Sequence, residues 1–174
     1  MANKKIYTIY RNIGLEQEDL LMAISASIDL MFSKDKGYST STIIKMFLEI
    51  GWRLEDEHGK ISFTPLGDDD GFDWQGEMLT KDELFSIVSL KEQILEKICL
   101  IFYWKDSDIG ITLISNFPEY IMISLDINRK KLHEEKKDNG WHSVTDFNWY
   151  IEQTIVKLRE ANYYVEGFQC FEYI

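Results

Sequence analysis

"ICLIFYWKDSDIGITLISNFPEYIMISLDI", residues 98–127, contains three apolar runs of strand length separated by two turn segments. The runs are rich in β-branched and aromatic residues, and the turn segments are "KDSD" and "NFPE". A spacing of about ten to twelve residues with turns between the runs is typical of an antiparallel meander. The runs are nearly continuously apolar, which indicates that both faces of this part of the sheet are covered.

The flanking sequence predicts helices and further strands around this meander. Helical spacing, N-capping residues and terminating glycines predict four helices: about Leu15 to Phe32, a segment that starts at Ser39–Thr42 and ends at Gly51, a segment that starts at Thr80, and about Phe147 to Ala161. Strands are predicted at Lys5 to Tyr10, in a hairpin over "WRLEDEHGKISF" (52–63) and in the last residues, "YYVEGFQCFEYI" (163–174). The charged segment Asn128 to Ser143 is predicted to be a loop or a frayed helix that ends in an Asn-Gly turn. This order predicts one α+β domain over residues 1–174, with helices packed on a mostly antiparallel sheet.

The composition restricts the class of partner. The 174 residues include 19 Lys and Arg against 30 Asp and Glu, so the formal net charge is −11. Such a chain repels polyphosphate, which argues against nucleic-acid binding over a broad surface. The same charge attracts a basic protein and speeds their encounter.

The expected location is the cytoplasm. The first residues lack the apolar core of a signal peptide, and no run approaches the length needed to cross a bilayer, so no membrane association is expected. The two cysteines, Cys99 and Cys170, lie in apolar runs and are expected to be buried thiols in a reducing compartment.

Acidic residues concentrate between Glu55 and Glu83. This segment holds ten acids and two lysines, so it carries a charge of −8. Three of the acids, Glu55, Asp56 and Glu57, lie at the predicted hairpin turn. Most of the others lie in "TPLGDDDGFDWQGEML", residues 64–79.

The Asp-rich stretch does not fit a calcium loop or a catalytic pair. When Gly71 is aligned with the invariant glycine of an EF-hand, Leu66 falls at the first ligand position, and a strand precedes the loop where a helix is required. Asp68, Asp70, Asp73 and Trp74 are residue types that glycosidases use, but their spacing is not specific to catalysis. The chain has no nucleophile elbow, phosphate-binding loop or zinc-ligand spacing. We therefore predict no catalytic residue, metal or cofactor.

The same stretch has the composition of a protein interface. Phe72 and Trp74 lie among the acids, and an exposed aromatic side chain surrounded by charges is typical of a binding anchor. The alternative is that either ring is buried in the core and fixes the loop. The predicted partner-binding residues fall into a loop group and a hairpin group: Asp68, Asp69, Asp70, Phe72, Asp73, Trp74 and Glu77, and Glu55, Asp56 and Glu57.

The loop "FTPLGDDDGFDWQ" (63–75) with its capped helix, the later "YWKDSDIGITLIS" (103–115) and the acidic, aromatic-rich character of the whole chain resemble the bacterial immunity proteins of polymorphic-toxin and contact-dependent inhibition systems. The resemblance implies a protein that binds a cognate toxin, often a basic nuclease, and blocks it. A regulatory interaction module unrelated to toxins and a hydrolase that uses the acidic loop remain as alternatives. The oligomeric state is left open.

Overall fold

The computed structural model describes residues 26–68, 71, 73–137 and 140–172. The described strands are β1 (Ala26–Phe32), β2 (Trp52–Arg53), β3 (Ile61–Phe63), β4 (Gln75–Glu77), β5 (Ile98–Trp104), β6 (Gly110–Phe117), β7 (Tyr120–Ile127), β8 (Lys131–Lys137), β9 (Gly140–Thr145) and β10 (Val165–Glu172). The described helices are a short 3₁₀ helix (Lys34–Lys36), α1 (Thr40–Glu49), α2 (Lys81–Gln93), α3 (Phe147–Ile151), a π-helical turn (Glu152–Val156) and α4 (Lys157–Glu160). The strand predicted at Lys5 to Tyr10 lies outside the described residues.

Eight of the described strands form one antiparallel sheet. Its order is β10-β1-β7-β6-β5-β3-β4, and β2 pairs with β5 beside β3. The predicted meander, β5-β6-β7, occupies the middle of this order, and its register aligns Leu100 with Leu113 and Leu113 with Ile123. The α+β class and the mostly antiparallel sheet are therefore confirmed.

The core lies between one face of the sheet and the helices. Alternate residues of β5, such as Leu100 and Phe102, are fully buried against α1, whose Phe47 ring lies 5.6 Å from the ring of Phe102. At the other end of β5 the rings of Trp52, Trp104 and Trp149 pack edge to face. Such aromatic packing adds about 1 kcal/mol per pair beyond burial of area, which fixes the helix that begins at Phe147 against the sheet.

The predicted helix from Leu15 to Phe32 is wrong over its last seven residues, because Ala26–Phe32 is strand β1. β1 lies between β7 and β10. Its first five residues alternate between the two faces of the sheet, and all five are buried. A short apolar run that is buried on both faces fits helical and strand periodicity equally well. The part of that prediction before Ala26 lies outside the described residues.

The prediction of a loop or frayed helix over Asn128 to Ser143 is also wrong. Lys131–Lys137 and Gly140–Thr145 form the antiparallel hairpin β8–β9, which is separate from the main sheet. In the sequence, the Asn-Gly pair at 139–140 is a strong hairpin signal, but the charges on both sides of it conceal the alternation expected of a strand.

The other helix predictions are confirmed. The side chain of Ser39 accepts a hydrogen bond from the Thr42 amide at the start of α1, and Thr80 and Glu83 form a reciprocal capping box at the start of α2. The last helix begins at Phe147 with Asp146 as its cap and continues to Glu160 through the π-helical turn.

The hairpin predicted over residues 52–63 is confirmed only at its tip. Glu55 and Ile61 form an antiparallel bridge, while β2 and β3 both pair with β5 instead of with each other.

A second correction concerns Cys170, which is exposed on β10, whereas Cys99 is buried as expected. Over the described ranges, no helix has the length and apolar character needed to cross a bilayer.

Candidate functional site

The acidic loop, residues 64–74, connects β3 to β4 and lies over the start of β5. The amide of Thr64 donates to the carbonyl of Cys99, and the Thr64 hydroxyl accepts from the Cys99 amide. These two bonds continue the β3–β5 pairing for one more residue. The loop therefore leaves the sheet at a fixed point, beside the C-terminal end of α2.

A buried lysine of α2 holds the first half of this loop. The side chain of Lys91 is 1% exposed, and its ammonium group donates to the carbonyls of Pro65 at 2.5 Å and Thr64 at 3.3 Å. It also lies 3.5 Å from the carbonyl of Asp68 and 3.4 Å from a carboxylate oxygen of Glu96. The Glu96 carboxylate in turn accepts from the Gly67 amide. A charge buried this deeply needs several such partners, so this geometry specifies the path of residues 64–68.

Asp68 is buried beneath the loop and does not lie on the surface. Its side chain is 4% exposed, and its two carboxylate oxygens accept from the amides of Gly71 at 2.8 Å and Asp73 at 3.1 Å. The carboxylate of Asp68, one of the acids predicted to bind the partner, is therefore directed into the loop. Its geometry is that of a residue that shapes the loop.

Gly71 allows the loop to turn tightly over β5. Its φ is +82°, and a Cβ atom built there would lie 2.8 Å from Cδ of Lys97 and 3.5 Å from Sγ of Cys99. We expect Gly71→Ala to lower the free energy of unfolding by about 2 kcal/mol, since it combines left-handed backbone strain of about 1 kcal/mol with a steric contact. Urea denaturation measures this loss.

The matched control is Gly37→Ala. Gly37 has a φ of +60° and nothing within 4 Å of the added Cβ, so it carries the backbone strain alone. Equal losses for the two variants would show that the approach of the loop to Lys97 and Cys99 contributes nothing.

At the end of the loop, the acid Asp73 and the aromatic Trp74 next to it are exposed. Trp74 is 40% exposed, and Glu77 is exposed at the far end of β4. Met78 follows at 77% exposure. The other predicted loop residues, Asp69, Asp70 and Phe72, lie outside the described residues.

The acids of the hairpin turn are ordered mainly by Asp56. Its carboxylate accepts from the amides of His58 and Lys60, both at 2.8 Å, and the Lys60 bond is the main cause that holds the pKa of Asp56 below its usual value. A carboxylate oxygen of Glu57 lies 3.4 Å from Nε2 of His58, and both side chains are exposed. The carboxylate of Asp56 therefore stabilises the turn to which it belongs, and Glu57 remains at the surface.

Strand β4 brings part of the loop back to this turn. Ile61 pairs with Glu55 on one side and with Glu77 on the other, and the methyl group of Met78 lies 3.9 Å from the position of a Cβ on Gly59. The hairpin acids and Glu77 thus share one end of β3. Asp73 and Trp74 lie toward its other end, about 10 Å away for a three-residue strand.

The hairpin acids also border a groove that the sequence analysis missed. The groove has a volume of about 610 Å³. It is lined by residues of turns and of strand ends: Arg53, Asp56, Glu57, His58, Tyr103, Asp106, Ser107, Asp108, Ile127 and Asn128. Arg53 fixes its floor, since its guanidinium donates to the carbonyls of Lys105 and Ser107 and lies 5.1 Å from the Tyr103 ring centre. The "KDSD" turn was the available signal, because its two aspartates follow a predicted strand end.

Cys99 is poorly suited to act as a nucleophile. Burial raises the pKa of its thiol to about 11, which leaves almost no thiolate at neutral pH. Among the described residues, no group of three or more His, Cys, Asp or Glu side chains is arranged to hold a metal ion.

Comparisons with protein-family models, with curated proteins and with solved structures gave no match to this chain. The function is therefore argued from the residues of the site alone.

Proposed function

We propose that the protein is an inhibitory binding protein of the immunity type, which neutralises a basic toxin domain by direct contact. The observation that carries this proposal is the exposed Trp74, with the exposed acid Asp73 next to it and the exposed Glu77 further along β4, at the end of a loop whose path is fixed from below. Tryptophan is among the residues most enriched at binding hot spots, and charged groups around it exclude other partners.

Anchoring of the loop supports tight binding. Lys91 and Asp68 fix the backbone before and beneath the exposed residues, so little conformational entropy is lost when a partner binds. In this proposal Asp68 positions the loop, while Asp73, Trp74 and Glu77 contact the partner. Glu55, Asp56 and Glu57, with Asp106 and Asp108 across the groove, steer a basic surface toward the same side.

Catalysis by the acidic loop is less well supported. Both carboxylate oxygens of Asp68 already accept backbone amides, so this group is not directed toward a substrate. Calorimetry with calcium, magnesium and manganese separates the two functions, since metal-dependent hydrolysis needs a measurable heat of binding that the inhibitor does not.

The test of the proposal begins with the protein encoded beside this chain's gene. We expect the two to co-purify, and we expect Trp74→Ala to weaken their complex by about 30-fold, which corresponds to about 2 kcal/mol. Surface plasmon resonance measures the dissociation constant, and the effect should lie mainly in the dissociation rate.

Tyr164→Ala is the matched control, because Tyr164 is an aromatic residue of similar exposure, 53%, immediately before β10 on the opposite edge of the sheet. An adjacent product that fails to co-purify would contradict the immunity function. Wild-type affinity in Trp74→Ala together with a loss in Tyr164→Ala would retain the inhibitor and reject this surface.

A further inference from the structure

The end of α2 exposes three large apolar side chains. Leu90 is 47% exposed, Ile94 is 58% exposed and Leu95 is 77% exposed. Leu90 and Ile94 are four residues apart, about one helical turn, and Leu95 follows directly, so the three share one end of the helix. A group of exposed apolar side chains is typical of a surface that contacts another molecule.

The backbone conformation of Leu95 is unfavourable for leucine. Its φ is +59°, in the left-handed region, directly after the C-cap of α2. The Leu95 amide donates to the carbonyl of Glu92, and the Glu96 amide donates to that of Lys91. These bonds form a Schellman motif, in which glycine or asparagine is usual at the left-handed position, and the last helix ends in the same motif with Asn162 there. Leu95 thus combines backbone strain with an exposed apolar side chain, and such a departure from local preference is expected at functional sites.

Leu95 also lines a pocket between the start of α1, the end of α2 and the β6–β7 turn. The pocket has a volume of about 470 Å³, and Tyr38, Ile98 and Pro118 contribute further apolar surface to it. A pocket of this size accepts an aromatic or a long aliphatic side chain of another molecule.

The charge at the pocket favours a cation next to that side chain. The Glu92 carboxylate accepts from the Thr40 amide and the Ser41 hydroxyl, which are neutral donors. No described Lys or Arg lies within ion-pair distance of Glu92. The other acid of the lining, Glu96, is already paired with Lys91. The lining of the pocket therefore carries one negative charge that no described cation balances.

The acidic loop connects this pocket to Trp74. The Gly67 amide donates to the Glu96 carboxylate, which brings the preceding Leu66, 48% exposed, to the end of α2. The loop starts and finishes at the same pair of β3 with β4, so Leu66 and Trp74 both lie within three residues of that pair. The pocket thus belongs to the same side of the molecule as the proposed interface.

We propose that the basic partner binds this surface as well, with an apolar side chain in the pocket and a Lys or Arg next to it at Glu92. The inference rests on the proposed function, and it adds to that function the chemistry of the segment that the partner contributes. The strain at Leu95 is retained because its exposed side chain completes the wall of the pocket.

Leu95→Gly tests this surface, because it removes the side chain and relieves the strain. We expect the equilibrium constant for folding to rise about fivefold, and the complex with the product of the adjacent gene to weaken at least about tenfold. Urea denaturation measures the first change and surface plasmon resonance the second. Since the variant is expected to be more stable than the wild type, weaker binding would not come from unfolding.

Asn162→Gly is the matched control. It changes the same position of the other Schellman motif at an exposed residue that does not line the pocket, so binding should be unchanged and the gain in stability smaller. Wild-type affinity in Leu95→Gly, together with a loss in Trp74→Ala, would overturn this inference and retain the inhibitory function. Lower stability in Leu95→Gly would also overturn it, because the side chain would then already be covered by residues 1–25 or by a second copy, which sedimentation velocity tells apart.

A pair of dipeptides tests the pocket without the partner. Acetyl-Phe-Lys-amide at millimolar concentration should shift the backbone amide resonances of Tyr38 and Leu95, and acetyl-Phe-Glu-amide should bind at least about threefold more weakly because of Glu92. No shifts, or equal binding of the two dipeptides, would overturn the proposed chemistry of the pocket. Failure of the adjacent product to bind contradicts the proposed function instead, and the dipeptides then decide alone whether the pocket accepts an apolar side chain beside a cation.

Discussion

Replacing Lys91 with methionine is expected to lower the free energy of unfolding by about 3 kcal/mol, although the two side chains have similar length and volume. Methionine fills the same space in α2 but donates no hydrogen bond. The carbonyls of Thr64 and Pro65 then lose their buried donor, and the Glu96 carboxylate loses its cation. Equilibrium urea denaturation measures the loss as a change in midpoint at constant slope.

A second readout locates the effect in the acidic loop. The amides of Gly71 and Asp73 donate to Asp68, and their hydrogen exchange should accelerate in Lys91→Met more than exchange in β5–β6–β7. Lys81→Met, at an exposed position in the first turn of the same helix, is the control and should change stability by less than about 0.5 kcal/mol. A loss below about 1 kcal/mol in Lys91→Met would mean that Lys91 does not hold the loop.

Lys91 shows why part of the site could be found in the sequence and part could not. The acidic composition of residues 64–79 and the capping box at Thr80 are local features, which can be recognised in the sequence without a structure. Lys91 interrupts the apolar stripe of α2, which indicates a buried charge with a partner. Its partner Pro65 lies 26 residues away in sequence, and the packing of α2 on the sheet decides that contact.

The groove depends on the strand register. Asp106 and Asp108 face the hairpin acids only because Arg53 pairs with Tyr103, so that the β5–β6 turn and the hairpin turn reach the same end of the sheet. No local sequence pattern specifies that pairing. The strands of the meander could be predicted because each is a neighbour of the next along the chain, whereas β1 pairs with β7 and β10, which are distant in sequence.

Asp29 is expected to make the stability of the fold depend on pH in an unusual direction. Its side chain is 4% exposed in the middle of β1, where one carboxylate oxygen accepts from the Tyr120 hydroxyl and the other has no hydrogen-bond partner among the described residues. Burial raises the pKa of this carboxyl from 3.8 to about 6. Above pH 6 the carboxyl is ionised in both states, and the buried charge lowers stability by about 3 kcal/mol, since each pKa unit corresponds to about 1.4 kcal/mol.

This contribution disappears as the pH falls. Between pH 6 and pH 3.8 the folded protein binds the proton while the unfolded chain is still ionised, so protonation favours the fold, and below pH 3.8 the difference is gone. The other carboxyls also titrate in this range. The difference between the wild type and Asp29→Asn therefore isolates this one group.

We expect Asp29→Asn to be more stable than the wild type by about 2 kcal/mol at pH 8, because it removes the buried charge but leaves an amide donor to satisfy at about 1 kcal/mol. At pH 4 the gain should vanish and the variant should be slightly less stable, so that the difference between the two proteins changes by about 2.5 kcal/mol across the range. Urea denaturation at the two pH values measures both differences, and Asp35→Asn, at an exposed site in the 3₁₀ helix, controls for the substitution itself. A stability difference between Asp29→Asn and the wild type that is the same at pH 4 and pH 8 would show that the Asp29 carboxyl titrates alike in the folded and unfolded chain.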